Sequence, residues 1–364
     1  MKNYFLIGLA ALTLLSTSCS KDSKTDSPEE GVAAMSIKLT GGTLQNRATV
    51  SPSQAEENTV IDYGVYVFNS ANVLQKFRRY TSTGQQKITD LTTGPKKVVV
   101  LVNLGAEANY PAKTEGSSTY ANLVSSGINF QNIPQTQAEV LASGLPMSGE
   151  ATVTLQEGDG SNNSNDVTVQ VYRLVAKIRL SGLTINPAVS GSLGVQLSEL
   201  GIMRAVQQIS VVDASNLNSG SYYKGLSDSH STQGGSYEAK LHEDILNNYD
   251  PITGEIYFYV FPNTGSGVSD NNATLLTFVS DQAASVTNPI RYFPIVVNPV
   301  VAGGITGTDG TYIKRNTQYA IALTLQHHET GTEDPEVTVQ PANISVVINI
   351  NDWAPTINQS VVWL

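Results

Sequence analysis

The sequence predicts an all-β chain with a few short helices, arranged as two β-sandwich domains, and three observations carry that prediction. Only 14% of the 364 residues are charged, while Gly, Ser, Thr, Asn and Val are abundant, a mix that favours strands joined by many turns. Short apolar runs with a period of two recur along the chain between Gly, Asn, Asp and Pro clusters, whereas helix signals are scarce. The length suits two domains, and the stretch VTVQVYRLVAKIRL changes phase in its middle: Val167, Val169 and Val171 are odd-numbered, Leu174, Ala176, Ile178 and Leu180 even-numbered. A one-residue change of phase marks a bulge or a strand that serves one core and then another, so the boundary is placed near Arg173, with domains at 33–172 and 173–364.

Taken in order, Lys2 and the apolar run from Tyr4 to Leu15 read as a secretory signal over 1–18, too short to stay as a membrane span. Cys19 is the sole cysteine and stands where the signal ends, so no internal disulfide forms and a lipid attached at Cys19 explains it best. Residues 19–32 are polar and without period, a flexible tether. In MSIKLT, Met35, Ile37 and Leu39 alternate with polar neighbours, which gives a strand over 35–40 with one buried face. Gly41-Gly42 ends it, and Arg47 follows in a polar loop over 41–52. A complete strand tethered through a loop with one basic residue suits proteolytic release.

Val60–Phe68 is apolar on both faces near its end, as in a central strand; Leu74–Tyr80 returns from it, and Val98–Leu104 is a buried run interrupted by Asn103. Thr136 with Glu139 forms a capping-box pattern for a short helix that Gly144 closes, and Tyr120–Ser125 supplies another turn or two. Ala151–Leu155 reads as a strand and Glu157–Asp166 as a hairpin loop; it lacks the closing Glu of a twelve-residue calcium loop. Further strands are expected at 209–212, 254–261, 273–280, 291–297 and 319–325, with the polar insert Asp213–Gln233 as a surface loop. In the closing segment Ile344, Val346, Ile348 and Ile350 share one face, followed by Trp353 and the terminal Val361, Val362, Trp363 and Leu364.

The composition also excludes function classes. A net charge of −10 with no basic stripe beyond Arg78-Arg79 and Lys96-Lys97 argues against nucleic acid. The chain has no HExxH, Walker, GxSxG or GxGxxG motif, and the adjacent His327 and His328 point to opposite faces of an extended strand, so they do not chelate one ion. No enzyme, cofactor or metal site is expected.

With these residues in hand, the chain resembles the FimA and Mfa-type fimbrillins, subunits of type V pili in Bacteroidota. The resemblance runs through Cys19, the first strand and its Arg47-Ala48 loop, VIDYGVYVFN, KKVVVLVNLG, LPMSGE, VYRLVAKIRL, IKRNTQYAIALTL and the ending INDWAPTINQSVVWL. One departure is Ser16, three residues before the cysteine, where a lipobox usually has leucine. The resemblance implies transthyretin-like β-sandwich domains and an outer-membrane lipoprotein precursor anchored by palmitate-type chains on Cys19. It also implies an arginine-specific surface protease that cuts between Arg47 and Ala48, and a fimbrium of identical or related pilin subunits at the cell surface that adheres to host or bacterial ligands. Removing the first strand would open an apolar groove. A donor strand entering it would bury four or five large side chains, at about 1.5–3 kcal/mol each. Residues 343–364 are the donor candidate, with Ile344, Val346, Ile348, Ile350, Trp353, Val361 and Trp363; they read equally as the last strand of the second domain. A surface lipoprotein that binds glycan or another host ligand without polymerising, and an anchor or tip subunit of the same pilus, are the alternatives.

Overall fold

Alternating apolar residues sort the first half of the chain into two facing sheets. The computed structural model describes residues 32–40, 52–81, 86–158, 165–185, 195–227, 229–230, 236–245, 256–263, 272–280, 289–298, 313–325, 327–337, 343–349 and 356–363. Strands β1 (Val32–Thr40), β2 (Tyr63–Phe68), β3 (Leu74–Tyr80), β4 (Gln86–Thr92), β5 (Gly94–Val102), β6 (Gly127–Asn129), β7 (Met147–Leu155), β8 (Asp166–Gln170) and β9 (Tyr172–Arg173) follow one another. One sheet has the order β4-β1-β8 and the other β3-β2-β5-β7-β9. Between them lie Met35 and Ile37 of β1, Val65 and Val67 of β2, Val98 and Val100 of β5, and Val167 and Val169 of β8. The opposite face of β2 and β5 is buried as well, because Tyr66, Phe68, Val99 and Leu101 pack against Tyr110, Leu123, Val211 and Val212. That second cover is why these strands lack polar alternation.

Three short helices close this half: α1 (Gln54–Glu57), α2 (Tyr120–Val124) and α3 (Gln137–Ser143). Each starts at a capping box. In α3 the Thr136 side chain accepts from the Glu139 N–H, Glu139 accepts from the Thr136 N–H, and Gly144 ends the helix at a φ of 66°. Asn103, which interrupts the apolar run, also has positive φ. Its side-chain amide donates to the carbonyls of Thr59 and Leu145 and its oxygen accepts from the Ile61 N–H, so it ties three segments together where β5 ends.

Past Arg173 the chain builds a second sandwich from β10 (Ala176–Ile185), β11 (Leu197–Val206), β12 (Gln208–Ser210), β13 (Tyr222–Lys224), β14 (Ser236–Tyr237), β15 (His242–Asp244), β16 (Tyr257–Val260), β17 (Leu275–Ser280), β18 (Arg291–Val296), β19 (Gln318–Leu325), β20 (Asn343–Asn349) and β21 (Thr356–Trp363). One sheet runs β16-β10-β19-β21-β20; the other runs β14-β13-β11-β17-β18, with β15 also on β11. Val167, Val169 and Val171 pack in the first core, and Leu174, Ala176, Ile178 and Leu180 in the second.

The structure departs from the sequence reading in three places. Glu157–Asp166 does not join a hairpin: β7 and β8 belong to different sheets, so this connection crosses the sandwich, with Leu155 and Val167 in the core on either side. The expected strand at 209–212 shortens to β12, which pairs with β6 of the first half, and Val211 and Val212 are apolar because they cover the outer face of β2 and β5. The insert after Asp213 contributes β13 to a sheet and the buried Leu226 to a core, so it is not merely a surface loop.

Candidate functional site

The first strand and the C-terminal hairpin are the two elements on which strand exchange would turn. β1 is the centre of its sheet, antiparallel to β4 with Met35 opposite Ile88, and parallel to β8 with Ile37 opposite Val167 and Leu39 opposite Val169. Met35 and Ile37 are fully buried. The Ala34 N–H donates to the Gly158 carbonyl at 3.1 Å, and the Asn165 amide donates to the Ala34 carbonyl at 3.1 Å. Among the described residues neither β4 nor β8 has another ladder partner, so β1 alone joins them. Lifting β1 out would leave two unpaired edges and uncover Ile88, Leu91, Val167 and Val169 over the inner face of the opposite sheet.

The C-terminal elements lie in the second sandwich. β21 runs parallel to β19, placing Val361 opposite Leu323 and Trp363 opposite Leu325, and β20 lies antiparallel on β21 as the edge strand. Ile344 stands opposite Val361, Val346 opposite Gln359 and Ile348 opposite Ile357. Both strands are thus members of the sheet in this chain. The signal, Cys19 and the tether up to residue 31, the loop with Arg47 and Ala48, and Ile350 and Trp353 lie outside the described residues.

A buried polar cluster joins the two sandwiches, and the sequence reading did not anticipate it. The Lys177 ammonium is 2.9 Å from Glu57 Oε1, with side chains only 5% and 2% exposed, and the Tyr259 hydroxyl donates to the same carboxylate oxygen. Burial first, and the Glu57 charge second, raise the Tyr259 phenol far above its ordinary range, so it stays a neutral donor. Arg173 donates to the Glu57 carbonyl, to the Asn316 side chain at 3.0 Å and to Asn58. Close by, the Gln135 side chain pairs with both backbone groups of Tyr259 at 2.8 and 2.9 Å. Arg315 donates to Ser148 Oγ and to the Val212 carbonyl; burial lowers its pKa, partly offset by Asp213.

The histidines are also arranged differently from the expectation. His328 is buried in a 3-10 turn, its ring nitrogens bonded to Ser280 Oγ and the Pro289 carbonyl, a structural role. His230 and His242 instead converge on Glu199, a strand residue that no sequence signal had singled out.

Residues 33–173 match the family described as major fimbrial subunit protein (FimA). No curated protein matches the chain closely enough to count as a relative. Among solved structures, a candidate cell adhesion protein of Bacteroides eggerthii is 20% identical with a TM-score of 0.63, over 91% of this chain and 98% of that one. A candidate cell adhesion protein of Parabacteroides distasonis is 19% identical with a TM-score of 0.59, over 91% and 99% of the two chains. A fimbrilin of Porphyromonas gingivalis is 18% identical with a TM-score of 0.58, over 92% and 97%. The shared architecture spans both sandwiches, and the family match falls on the half that contains β1 and its two ladder partners. Over residues 33–173 the chain thus matches the FimA major fimbrial subunit family, and its two-sandwich fold is the one these solved structures share.

Proposed function

We propose that the chain is a pilin precursor that polymerises by strand exchange into adhesive surface fimbriae. In this reading residues 1–18 direct export and Cys19 carries the lipid that holds the precursor at the outer membrane. An arginine-specific protease then cuts after Arg47, so that Ala48 begins the mature subunit. The cut severs β1 from the body and so detaches lipid and strand together. A strand from the Asn343–Leu364 segment of the next subunit then occupies the bed between β4 and β8. The observation that carries this reading is the position of β1: fully buried at Met35 and Ile37 and, among the described residues, sole ladder partner of both β4 and β8. Refilling such a bed restores ladder hydrogen bonds and apolar burial, and a head-to-tail contact that does not close on itself gives a filament.

Mass spectrometry of fibres should find Ala48 as the first residue, and Arg47→Ala should yield a stable lipidated monomer. Polymer ladders from Arg47→Ala, or fibres in which every subunit keeps Cys19 and its lipid, would overturn the processing scheme.

A further inference from the structure

We propose that Glu199, His242 and Asp244, with His230 beside Glu199, form a binding site for a divalent transition-metal cation of the zinc class. The residues come from three segments: Glu199 from β11, His242 and Asp244 from β15 beside it, and His230 from a turn in the insert closed by the His230 N–H donating to the Ser227 carbonyl at 2.9 Å. His230 Nδ1 lies 2.8 Å from Glu199 Oε1, His242 Nε2 lies 3.7 Å from Glu199 Oε2, and His242 Nε2 lies 2.8 Å from Asp244 Oδ1. The ligand atoms of Glu199, His242 and Asp244 all fall within 4.8 Å of one another. Zinc bound at about 2.0–2.1 Å requires ligand atoms separated by about 3.3 Å, and the separations of His242 Nε2 from Asp244 Oδ1 and Glu199 Oε2, 2.8 and 3.7 Å, lie on either side of that value.

The orientation of His242 is the more specific observation. Its Nδ1 is 2.8 Å from the Gly225 carbonyl, which only accepts, so Nδ1 carries a proton. In the neutral ring Nε2 then presents its lone pair toward two carboxylates, a geometry in which a shared cation satisfies all three acceptors. A ring N–H fixed by a backbone carbonyl is the usual outer support of a metal-binding imidazole. That carbonyl is itself held rigidly: the Gly225 N–H donates to Ile202 at 2.7 Å, and a Cβ on Gly225 would lie 2.0 Å from the Leu241 carbonyl oxygen. The Glu199 side chain is 6% exposed and the Asp244 side chain 68%, so the cluster has a buried floor and an open side for entry. An imidazole nitrogen beside two carboxylates favours zinc over calcium or magnesium, which prefer all-oxygen shells. Bound there, the ion would pin β15 to β11, whose Glu199 also holds His230 of the insert turn. The proposal does not depend on the pilin reading.

The test is calorimetric titration of zinc chloride into the untagged full-length chain carrying Cys19→Ser, so that no thiolate contributes, after removal of metal by a chelator. One saturable zinc per chain is expected, with a thermal midpoint raised by about 5–10 °C at a hundredfold excess over Kd. Asp244→Asn, at an exposed position, should still fold and bind zinc at least tenfold more weakly, and His242→Ala should abolish the site. His327→Ala should bind like the parent, and calcium chloride should give no saturable heat. Absence of saturable zinc binding, retention of full affinity in Asp244→Asn, or equal binding of calcium would overturn the proposal.

Discussion

Lys177 and Glu57 show how much can rest on one pair of side chains. Both are buried where the two sandwiches meet, and the carboxylate takes the ammonium and the Tyr259 hydroxyl together. Taking away the ammonium strands a carboxylate in low dielectric, and losses of this kind cost about 3–5 kcal/mol, whereas replacing both charges by neutral groups of similar size is far milder. Lys177→Ala should therefore lower the stability of the chain by about 3–5 kcal/mol in chemical denaturation, and the double replacement Glu57→Gln with Lys177→Met should recover most of that loss. Equal losses in the single and double variants would place the effect in packing rather than charge. In the sequence, Glu57 is one of two adjacent acids in a polar segment and reads as solvated charge. Its burial follows from α1 being laid against the second sandwich, a long-range event with no local signature. Asn103 was more legible: a polar residue breaking an apolar run marks a point where the chain must turn and its backbone groups need partners.

At the level of elements, the most readable strands were those whose neighbours resemble them. Tyr63–Phe68 and Leu74–Tyr80 lie within the expected ranges, and the capping box at Thr136 placed α3 to within a residue. Leu197–Val206 was missed, although it is a ten-residue strand bonded to β13, β15 and β17, because both of its faces are buried and Glu199, Gly201 and Arg204 interrupt any simple period. Arg204 also has a positive φ, at the irregularity between Met203 and Ala205 where β11 pairs with β13. The approach of β7 to the end of β8 is as constrained: a Cβ at Gly149 would lie 2.1 Å from the Gln170 carbonyl oxygen, and backbone cannot give way as a flexible side chain can. Gly149→Ala should thus force the two sheets apart locally and destabilise the first sandwich by about 1–3 kcal/mol, read from its unfolding midpoint. An unchanged midpoint would mean the strands can shift at little cost.

For the whole molecule, the placement of the last two strands sets the next expectation. β21 sits between β19 and β20 in the second sandwich, so a chain ending before Asn343 exposes the edge of β19 but leaves every strand of the first sandwich intact. Such a truncation should keep the first sandwich folded, as shown by protease resistance of its residues, while fibre formation is lost; normal fibres from the truncated chain would remove this segment from the donor role. The sequence by itself determined the class of the protein: alternation i to i+2 names the buried face of a strand, capping residues fix short helices, and the change of phase near Arg173 separates residues that enter different cores. These are local rules, and the sequence obeys them locally. Tertiary structure alone decided that β1 lies between antiparallel β4 and parallel β8, that the chain from Leu155 to Val167 crosses the sandwich, and that His230 and His242 meet at Glu199. The physical reason is that a pattern of apolar residues specifies which face is buried but not which strand pairs along each edge; that choice is made by the packing of the whole core.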